Sequence, residues 1–404
     1  LSIRKTINNP KVHNLQTIHL KSRRESRIKS GHLWAFAGEI AEDLKQFEPG
    51  DGVVLCDARG SLLGRGYVNP NSLIAVRLLT TGNEAWDEEL FKRRIKTAIA
   101  YRNGVCKGWE AKRIIYSESD GLPGLIVDQY SDYLVVQSLT AGIERHLEQI
   151  TEILLEELKP KGILLRCDSR FRELEGLKGD TRELSGIVPD EIEFNENDIK
   201  FSSRSRSGQK TGFYLDQHFN RTLINSLVHN RRILDLFCYT GSWGLSALKA
   251  GASESIMVDS SQQAIDWGMQ DATDNGFASK SLFIKADVTE FLKDAASRNN
   301  KYDVVIIDPP GFIKSRKTLS EGISAYRSLN RNALKVVEDR GYLISCSCSH
   351  LLSREQHLAL IGEAALKEGR RLRLVKTGGH SPDHPILPGH PETEYLKCWV
   401  LYVS

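Results

Sequence analysis

Residues 231–252 read RRILDLFCYTGSWGLSALKAGA. A short apolar run, Ile233-Leu234-Asp235-Leu236-Phe237, leads into a turn of small residues, Cys238-Tyr239-Thr240-Gly241-Ser242. A segment with helical spacing follows, from Trp243 to Ala250. A buried strand that turns tightly into a helix is the first unit of a doubly wound α/β domain, in which ligands lie at the carboxyl ends of the strands. Gly241 lets a ligand approach the backbone, and the helix start behind it offers unpaired N–H groups. The turn holds one glycine, so it is not the dinucleotide GxGxxG pattern. A general nucleotide-binding α/β enzyme and one recognising an amino group through Asp235 both fit this stretch.

Outward from it, the α/β rhythm continues. Residues 256–258 form a strand ending in Asp259-Ser260-Ser261, and a helix follows over 264–275. A third strand, 282–285, ends in Ala286-Asp287-Val288. A fourth, 301–307, ends in Asp308-Pro309-Pro310-Gly311-Phe312. A helix over 322–337 leads to a fifth strand, 341–345, and to Cys346-Ser347-Cys348-Ser349-His350. A helix at 353–368 and strands near 372–376 and 395–402 complete the domain. The expected architecture is α/β: a Rossmann-like domain over 187–404, a central α+β domain with a connector helix over 83–186, and an N-terminal β barrel over 1–82.

The barrel is read from short alternating runs at 17–20, 52–56, 62–68 and 73–79, punctuated by Pro49-Gly50-Asp51-Gly52 and Asn69-Pro70-Asn71. Residues 1–14 read as a leader outside it. Within it, Lys21, Arg23, Arg24, Arg27 and Lys29 crowd a predicted basic helix beside Trp34. That is either a phosphate-backbone footprint or a solvated helix face. The central domain has the order β-β-β-α-β. Its Asp120, Arg166, Arg170 and Arg172 fit surface ion pairs better than RNA contacts. A hairpin spans 191–202, and residues 203–217, SRSRSGQKTGFYLDQ, form a loop that either lies over a cofactor or links domains.

Composition sets bounds. At 404 residues, two or three domains are expected. With 40% hydrophobic and 26% charged residues the chain is an ordinary globular one. No apolar run approaches the roughly 18–20 residues that cross a bilayer, and a secretory leader is not expected. Seven scattered cysteines without zinc spacing point to a reducing cytoplasm and no metal. The net charge of +3 is too small to argue for a nucleic-acid partner by itself.

Acids close four successive strands: Asp235, Asp259, Asp287 and Asp308. An open parallel sheet gathers such ends along one edge. Asp259 follows Asp235 by 24 residues, the place of a ribose-binding acid. Asp287 can take an adenine amine, with Val288 offering a backbone N–H. An amino-acid end, a diol and an adenine are three parts of S-adenosylmethionine. The prolines fix the backbone after Asp308, and Phe312 is available to stack on a base. Such a corner occurs in methyltransferases acting on planar substrates with an amino group, although the intervening Gly311 departs from the exocyclic-amine pattern. Cys346 and Cys348 end the neighbouring strand, and Cys348, nearer the loop, is the better nucleophile candidate. A thiolate adding to C6 of cytosine makes C5 able to accept a sulfonium methyl, whereas a buried cysteine is more commonly a small core hydrophobe.

Two resemblances bear on these choices. Residues 21–36, with Gly31-His32-Leu33-Trp34, followed by a barrel carrying Pro49-Gly50-Asp51, resemble the PUA-type RNA-binding module that opens one family of rRNA methyltransferases. Across nearly the whole chain, QKTGFYLDQ, DLFCYTG, VDSSQQAI, DPPGF and SCSCS resemble the large-subunit rRNA 5-methylcytosine methyltransferase I family. The resemblance implies S-adenosylmethionine as cofactor, RNA (23S rRNA) as partner, no membrane, and a catalytic cysteine at Cys348 with Asp308 holding the cytosine. The cofactor set under this reading is Phe213, Tyr214, Asp216, Asp235, Phe237, Tyr239, Thr240, Gly241, Asp259, Ser260, Asp287, Val288, Asp308 and Pro309. The RNA set is Lys21, Arg23, Arg24, Arg27, Lys29, Trp34 and Phe312. The chain departs from the family at His350, where glycine is common, and at Gly311, where lysine is common. A base N-methyltransferase with an inert Cys348, and a non-catalytic RNA-binding assembly factor, are the alternatives. A homodimer is compatible with any of them.

Overall fold

The computed structural model describes residues 15–168 and 170–404; the leader at 1–14 and the side chain of Arg170 lie outside the described residues. The chain divides into two compact units. The first comprises Leu1–Ile192, Ser203–Phe213 and Asp383–Thr393, and the second Glu193–Ser202, Tyr214–Pro382 and Glu394–Ser404. The chain therefore passes from one unit to the other five times.

In the first unit, β1 (Gln16–His19), β2 (Trp34–Ala35), β3 (Asp51–Cys56), β4 (Leu62–Val68) and β5 (Val76–Thr81) form a sheet ordered β1-β3-β4-β5-β2. Inward residues such as Ile18, Val53, Leu55 and Leu78 make its core. β4 passes close to β5 at Gly66, where a Cβ would lie 2.0 Å from the Arg77 carbonyl oxygen. A second sheet follows: β6 (Ala111–Tyr116), β7 (Leu125–Tyr130), β8 (Tyr133–Ser138), β9 (Gly162–Cys167) and β10 (Asp180–Gly186), ordered β10-β9-β8-β7-β6. The helix Leu90–Val105 and the helix Leu147–Leu158 pack on it through Ile95, Ala98, Ile150 and Leu154.

The expected basic helix over 21–29 is only one turn, Ser26–Lys29. Arg23 takes a left-handed φ of 65° and Gly31 one of 96°, which ends helical geometry on both sides. Arg166 pairs with Asp168 and Arg172 with Glu144, but both arginines are buried rather than on the surface as expected, because they also donate to backbone carbonyls; Asp120 is taken by the buried Arg102.

A hairpin, β11 (Glu191–Glu196) and β12 (Ile199–Arg204), precedes the seven-stranded sheet of the second unit. Its strands are β13 (Arg232–Leu236), β14 (Glu254–Asp259), β15 (Ser281–Lys285), β16 (Tyr302–Ile307), β17 (Val337–Ser347), β18 (Leu372–Gly378) and β19 (Lys397–Val403). The order is β15-β14-β13-β16-β17-β19-β18, parallel except for β19, which runs antiparallel between β17 and β18. β13 pairs with β14 on one side and β16 on the other, so the order reverses there and a crevice opens beyond their carboxyl ends. The near-continuous apolar runs Ile233-Leu234 and Val304–Ile307 suit strands covered on both faces. Leu234, Leu236, Val305, Ile307 and Leu343 are all fully buried in one core. Burying each such side chain contributes about 1.5–3 kcal/mol. Among the described residues no helix is long and apolar enough to cross a membrane.

Candidate active site at the strand ends

Asp235 sits near the end of β13, fully buried, with Oδ2 accepting the Gly244 N–H at 3.0 Å. Its Oδ1 is buried without a hydrogen-bond partner. Burial pushes the carboxyl well above its ordinary range, and the charges of Asp308 and Asp259 add to that. A carboxylate left this way is costly unless a donor or cation completes it. The nearby buried Thr240 hydroxyl also lacks a hydrogen-bond partner. This is the chemistry an amino-acid ammonium and carboxylate satisfy.

The turn after β13 holds three left-handed residues: Phe237 (φ 61°), Tyr239 (φ 51°) and Gly241 (φ 77°). Two aromatic residues thus adopt the conformation that glycines supply in a dinucleotide loop, a strain of about 1–2 kcal/mol each. At Gly241 a Cβ would lie 2.6 Å from Met257 Sδ and 2.9 Å from the Phe283 ring, so glycine is required by packing as well as by φ. The loop is held by Asp259, whose Oδ2 accepts the Tyr239 N–H at 2.9 Å while Oδ1 accepts the Ser261 N–H at 2.9 Å. Asp259 is half-buried and Ser260 exposed. Asp287 is exposed and caps the helix Val288–Ser297 by accepting the Glu290 N–H at 3.0 Å, with Val288 buried behind it.

Asp308 lies immediately beyond β16, its N–H directed to the Leu236 carbonyl at 3.4 Å. Its Oδ2 accepts Gln217 Nε2 at 2.9 Å and Trp243 Nε1 at 3.2 Å. Gln217 is itself oriented, because its Oε1 accepts Asn220 Nδ2 at 2.6 Å, and Asn220 exchanges bonds with the backbone of Gly379. Asp216 accepts the Tyr395 hydroxyl at 2.6 Å. Tyr214 stacks edge-on to Tyr239 with ring centroids 5.5 Å apart, and burial, reinforced by the Asp308 charge, pushes its hydroxyl up. Phe213 is buried and belongs to the first unit.

The two cysteines part company. Cys346 is fully buried in β17, opposite Cys398 of β19. Burial and then the Cys398 thiol push it well above the ordinary thiol range. Cys348 lies just past the strand, half-buried, with Sγ 3.9 Å from the Pro309 carbonyl oxygen. A Cβ at Gly311 would lie 3.6 Å from Sγ, an ordinary contact, so glycine here is not forced by sterics. Phe312 packs on Tyr326, centroids 4.8 Å apart, and against the core. His350 is exposed, its ring 5.5 Å from that of Tyr395.

In the first unit, Arg23 and Arg24 are exposed. Lys21 reaches the Gly38 carbonyl, Lys29 reaches Asp57 at 3.3 Å, and Arg27 bonds Glu39 at 2.7 Å. Trp34 Nε1 donates to Glu118 at 2.9 Å. Among the described residues one group has metal-ligand spacing, His32, His390 and Glu392. Both histidines accept a backbone N–H at Nδ1, from Trp34 at 3.1 Å and Leu33 at 3.4 Å. That leaves the hydrogens on Nε2, facing Glu392, which is the tautomer that donates to a carboxylate and not one that ligates a metal.

The residues that sequence reasoning missed are Gln217, Asn220, Trp243 and Tyr395, which hold the two acids, and Lys397. Only Lys397 left a signal, as a charge within an apolar strand.

A strand-end crevice with an orphaned buried acid, a half-buried acid closing the next strand and a strained glycine turn fits the class of methyltransferases using S-adenosylmethionine. Residues 131–390 match the S-adenosylmethionine-dependent methyltransferase family and residues 18–81 the PUA-like domain family. The chain belongs to the ribosomal RNA large subunit methyltransferase I family. It is 36% identical over 385 residues to the protein of that name from Pseudoalteromonas atlantica, covering 94% of this chain and 98% of that one. The Aliivibrio fischeri protein of that name is 37% identical over 386 residues, with coverage of 94% and 98%. Among solved structures, SMU.776, described as a methyltransferase complexed with SAH, superposes with a TM-score of 0.84 at 19% identity, covering 96% of this chain and 100% of that one. A Streptococcus mutans SAM-dependent methyltransferase gives 0.82 at 19%, with the same coverage. These two likenesses concern the fold.

Proposed function

We propose that this enzyme forms 5-methylcytosine in 23S rRNA through a covalent adduct of Cys348. The observation that carries the reading is the position of Cys348 Sγ, 3.9 Å from the Pro309 carbonyl and thus beside the Asp308 corner. Asp235, Thr240 and Gly241 would hold the amino-acid end of the cofactor, Asp259 its ribose, and Asp287 with Val288 its adenine. Tyr214, Asp216, Phe237, Tyr239, Ser260 and Pro309 complete the pocket. Bound there, S-adenosylmethionine supplies a methyl group on a sulfonium.

The rest is work for the chain's own groups. Cys348 adds as a thiolate to C6 of the cytosine, and the C5–C6 double-bond electrons move to C5, which becomes nucleophilic. Asp308, fixed by Gln217 and Trp243, accepts a hydrogen bond from the N4 amino group of the ring. Once C5 carries the methyl group, its remaining proton passes to water, the C–H electron pair re-forms the C5–C6 double bond, and Sγ leaves C6 as the thiolate. Phe312 stacks on the base, and the exposed Arg23 and Arg24 bind the RNA backbone, with Lys21, Arg27, Lys29 and Trp34 held beside them by their own partners. A ribosomal substrate makes the cytoplasm the place of action.

The test is mass spectrometry of nucleosides from unmodified 23S rRNA incubated with the protein and labelled S-adenosylmethionine. Labelled 5-methylcytidine, lost in Cys348→Ala, is expected. A labelled N-methylpurine would move the reading to amino-group methylation with an inert Cys348. No label in free rRNA or in subunits would leave RNA binding without turnover.

A further inference from the structure

Lys397 opens β19, a strand otherwise apolar through Cys398, Trp399, Val400 and Leu401, and is only 2% exposed. Its Nζ donates to the Ser349 carbonyl at 2.7 Å and to the Tyr395 carbonyl at 2.8 Å. In the β17–β19 register Lys397 stands opposite Ser347. An ammonium group is thus tied to the residue just after Cys348 and placed across from the residue just before it.

Keeping a cation in such a place is expensive, of order several kcal/mol for an unpaired ion. The cost is visible in the lysine itself. Burial pulls Lys397 down from its ordinary value to about 8, while the charge of Cys348 works in the opposite direction, helped by Glu394 and opposed by Arg354. Two carbonyls need only a donor. A neutral side chain could supply one without the desolvation penalty, so the charge calls for a reason of its own. Tyr214 and Tyr326 are both sensitive to the charge of Cys348, and the Asp308 carboxylate, next to the Pro309 whose carbonyl Sγ approaches, disfavours a second anion nearby. A thiolate in that company gains from a fixed cation.

Resting on the reading of Cys348 as nucleophile, we propose that Lys397 is a positioning residue for the transfer: its ammonium anchors the 347–349 loop and stabilises the Cys348 thiolate. The thiol proton goes to solvent, and the positive charge on Lys397 remains in place through addition and release.

The test uses the full chain without RNA. Alkylation of Cys348 by iodoacetamide is followed by peptide mass spectrometry from about pH 6 to about pH 9, a range that spans ordinary thiol titration. Lys397→Met is expected to slow alkylation near neutral pH about tenfold, equivalent to one unit of thiol titration. Lys397→Arg, which keeps the charge, is expected to recover most of it. In the methylation assay the Met variant lowers kcat while KM for RNA holds. A role confined to anchoring the loop would slow both variants alike and leave the pH profile unmoved, which overturns the inference. The unmutated protein gives an independent check, since a Cys348 midpoint at the ordinary thiol value of about 8.5 also overturns it. Transfer retained in Cys348→Ala overturns the nucleophile and this role together. Transfer lost in Cys348→Ala, with alkylation unchanged in Lys397→Met, overturns the Lys397 inference alone.

Discussion

Asp259 serves two masters at the scale of one residue. Each of its oxygens already accepts one backbone N–H, from Tyr239 and Ser261, and a carboxylate oxygen has room for a second donor. Asp259→Ala therefore removes the acceptors proposed for the ribose and also releases the Tyr239 backbone. Cofactor affinity, read by calorimetry, should fall about 10- to 100-fold, the equivalent of one or two charged hydrogen bonds. An unchanged affinity would assign Asp259 to the loop alone. The acids themselves were legible in the sequence because strand ends are marked by the loss of apolar residues. The conformation between them was not. One glycine in the turn predicts one left-handed residue, and Phe237 and Tyr239 adopt that geometry as well. Tertiary context overrides intrinsic preference there, and composition has no record of it. Gln217 and Trp243 were invisible for a related reason: their bonds to Asp308 span 91 and 65 residues.

At the scale of elements, strands and helices of the second unit fell where periodicity put them, since buried parallel strands announce themselves as apolar runs. The basic helix of the first unit failed because charge density is not a helical signal, and its cations are drawn to separate partners in Glu39, Asp57 and Gly38. The hairpin β11–β12 was readable from its Asn195–Asp198 turn, but its energetic role was not. Glu196, at the end of β11, is bound by Arg221 at 2.6 and 2.7 Å and by His218 at 3.0 Å. Burial alone would raise Glu196, but Arg221 and His218 overcome it and bring the carboxyl down to about 2. A carboxyl depressed on folding contributes stability that is complete above its unfolded value and is lost as pH falls toward the folded one. The contribution, of order 3 kcal/mol, should therefore disappear between about pH 4.5 and pH 2. Urea melts across that window should steepen less in Glu196→Gln than in the unmutated protein. Parallel pH curves for the two would refute the ion-pair account.

For the whole molecule, the question is how much of the surface charge serves RNA. Lys21, Arg23, Arg24 and Lys29 are all exposed, but Lys21 is drawn to a backbone carbonyl and Lys29, like Arg27, to a carboxylate, which leaves Arg23 and Arg24 as the pair to test. Replacing both with alanine should weaken RNA binding uniformly across sequences. It should also flatten the plot of log affinity against log salt by up to about 1.5–2, the loss of two phosphate contacts. A slope that does not move would shift the RNA surface elsewhere. The α/β rhythm and that of the N-terminal sheet were predictable from pattern. The return of residues 383–393 to the first unit was not, because it is a short stretch between two strands of the second.

That return has a consequence for biosynthesis. Buried groups of the first unit wait for it: Arg102 donates to the Asp383 carbonyl, the Arg113 N–H to the Asp383 carboxylate, and the Tyr116 hydroxyl to the Thr393 carbonyl. Asp128 likewise waits for the Thr211 hydroxyl. During translation the two sheets of the first unit are made early, yet their last partners are made only after most of the second unit. The first unit is thus completed only after residues 214–382 of the second have been made, so a nascent chain halted before residue 393 exposes an incomplete first unit to chaperones and proteases.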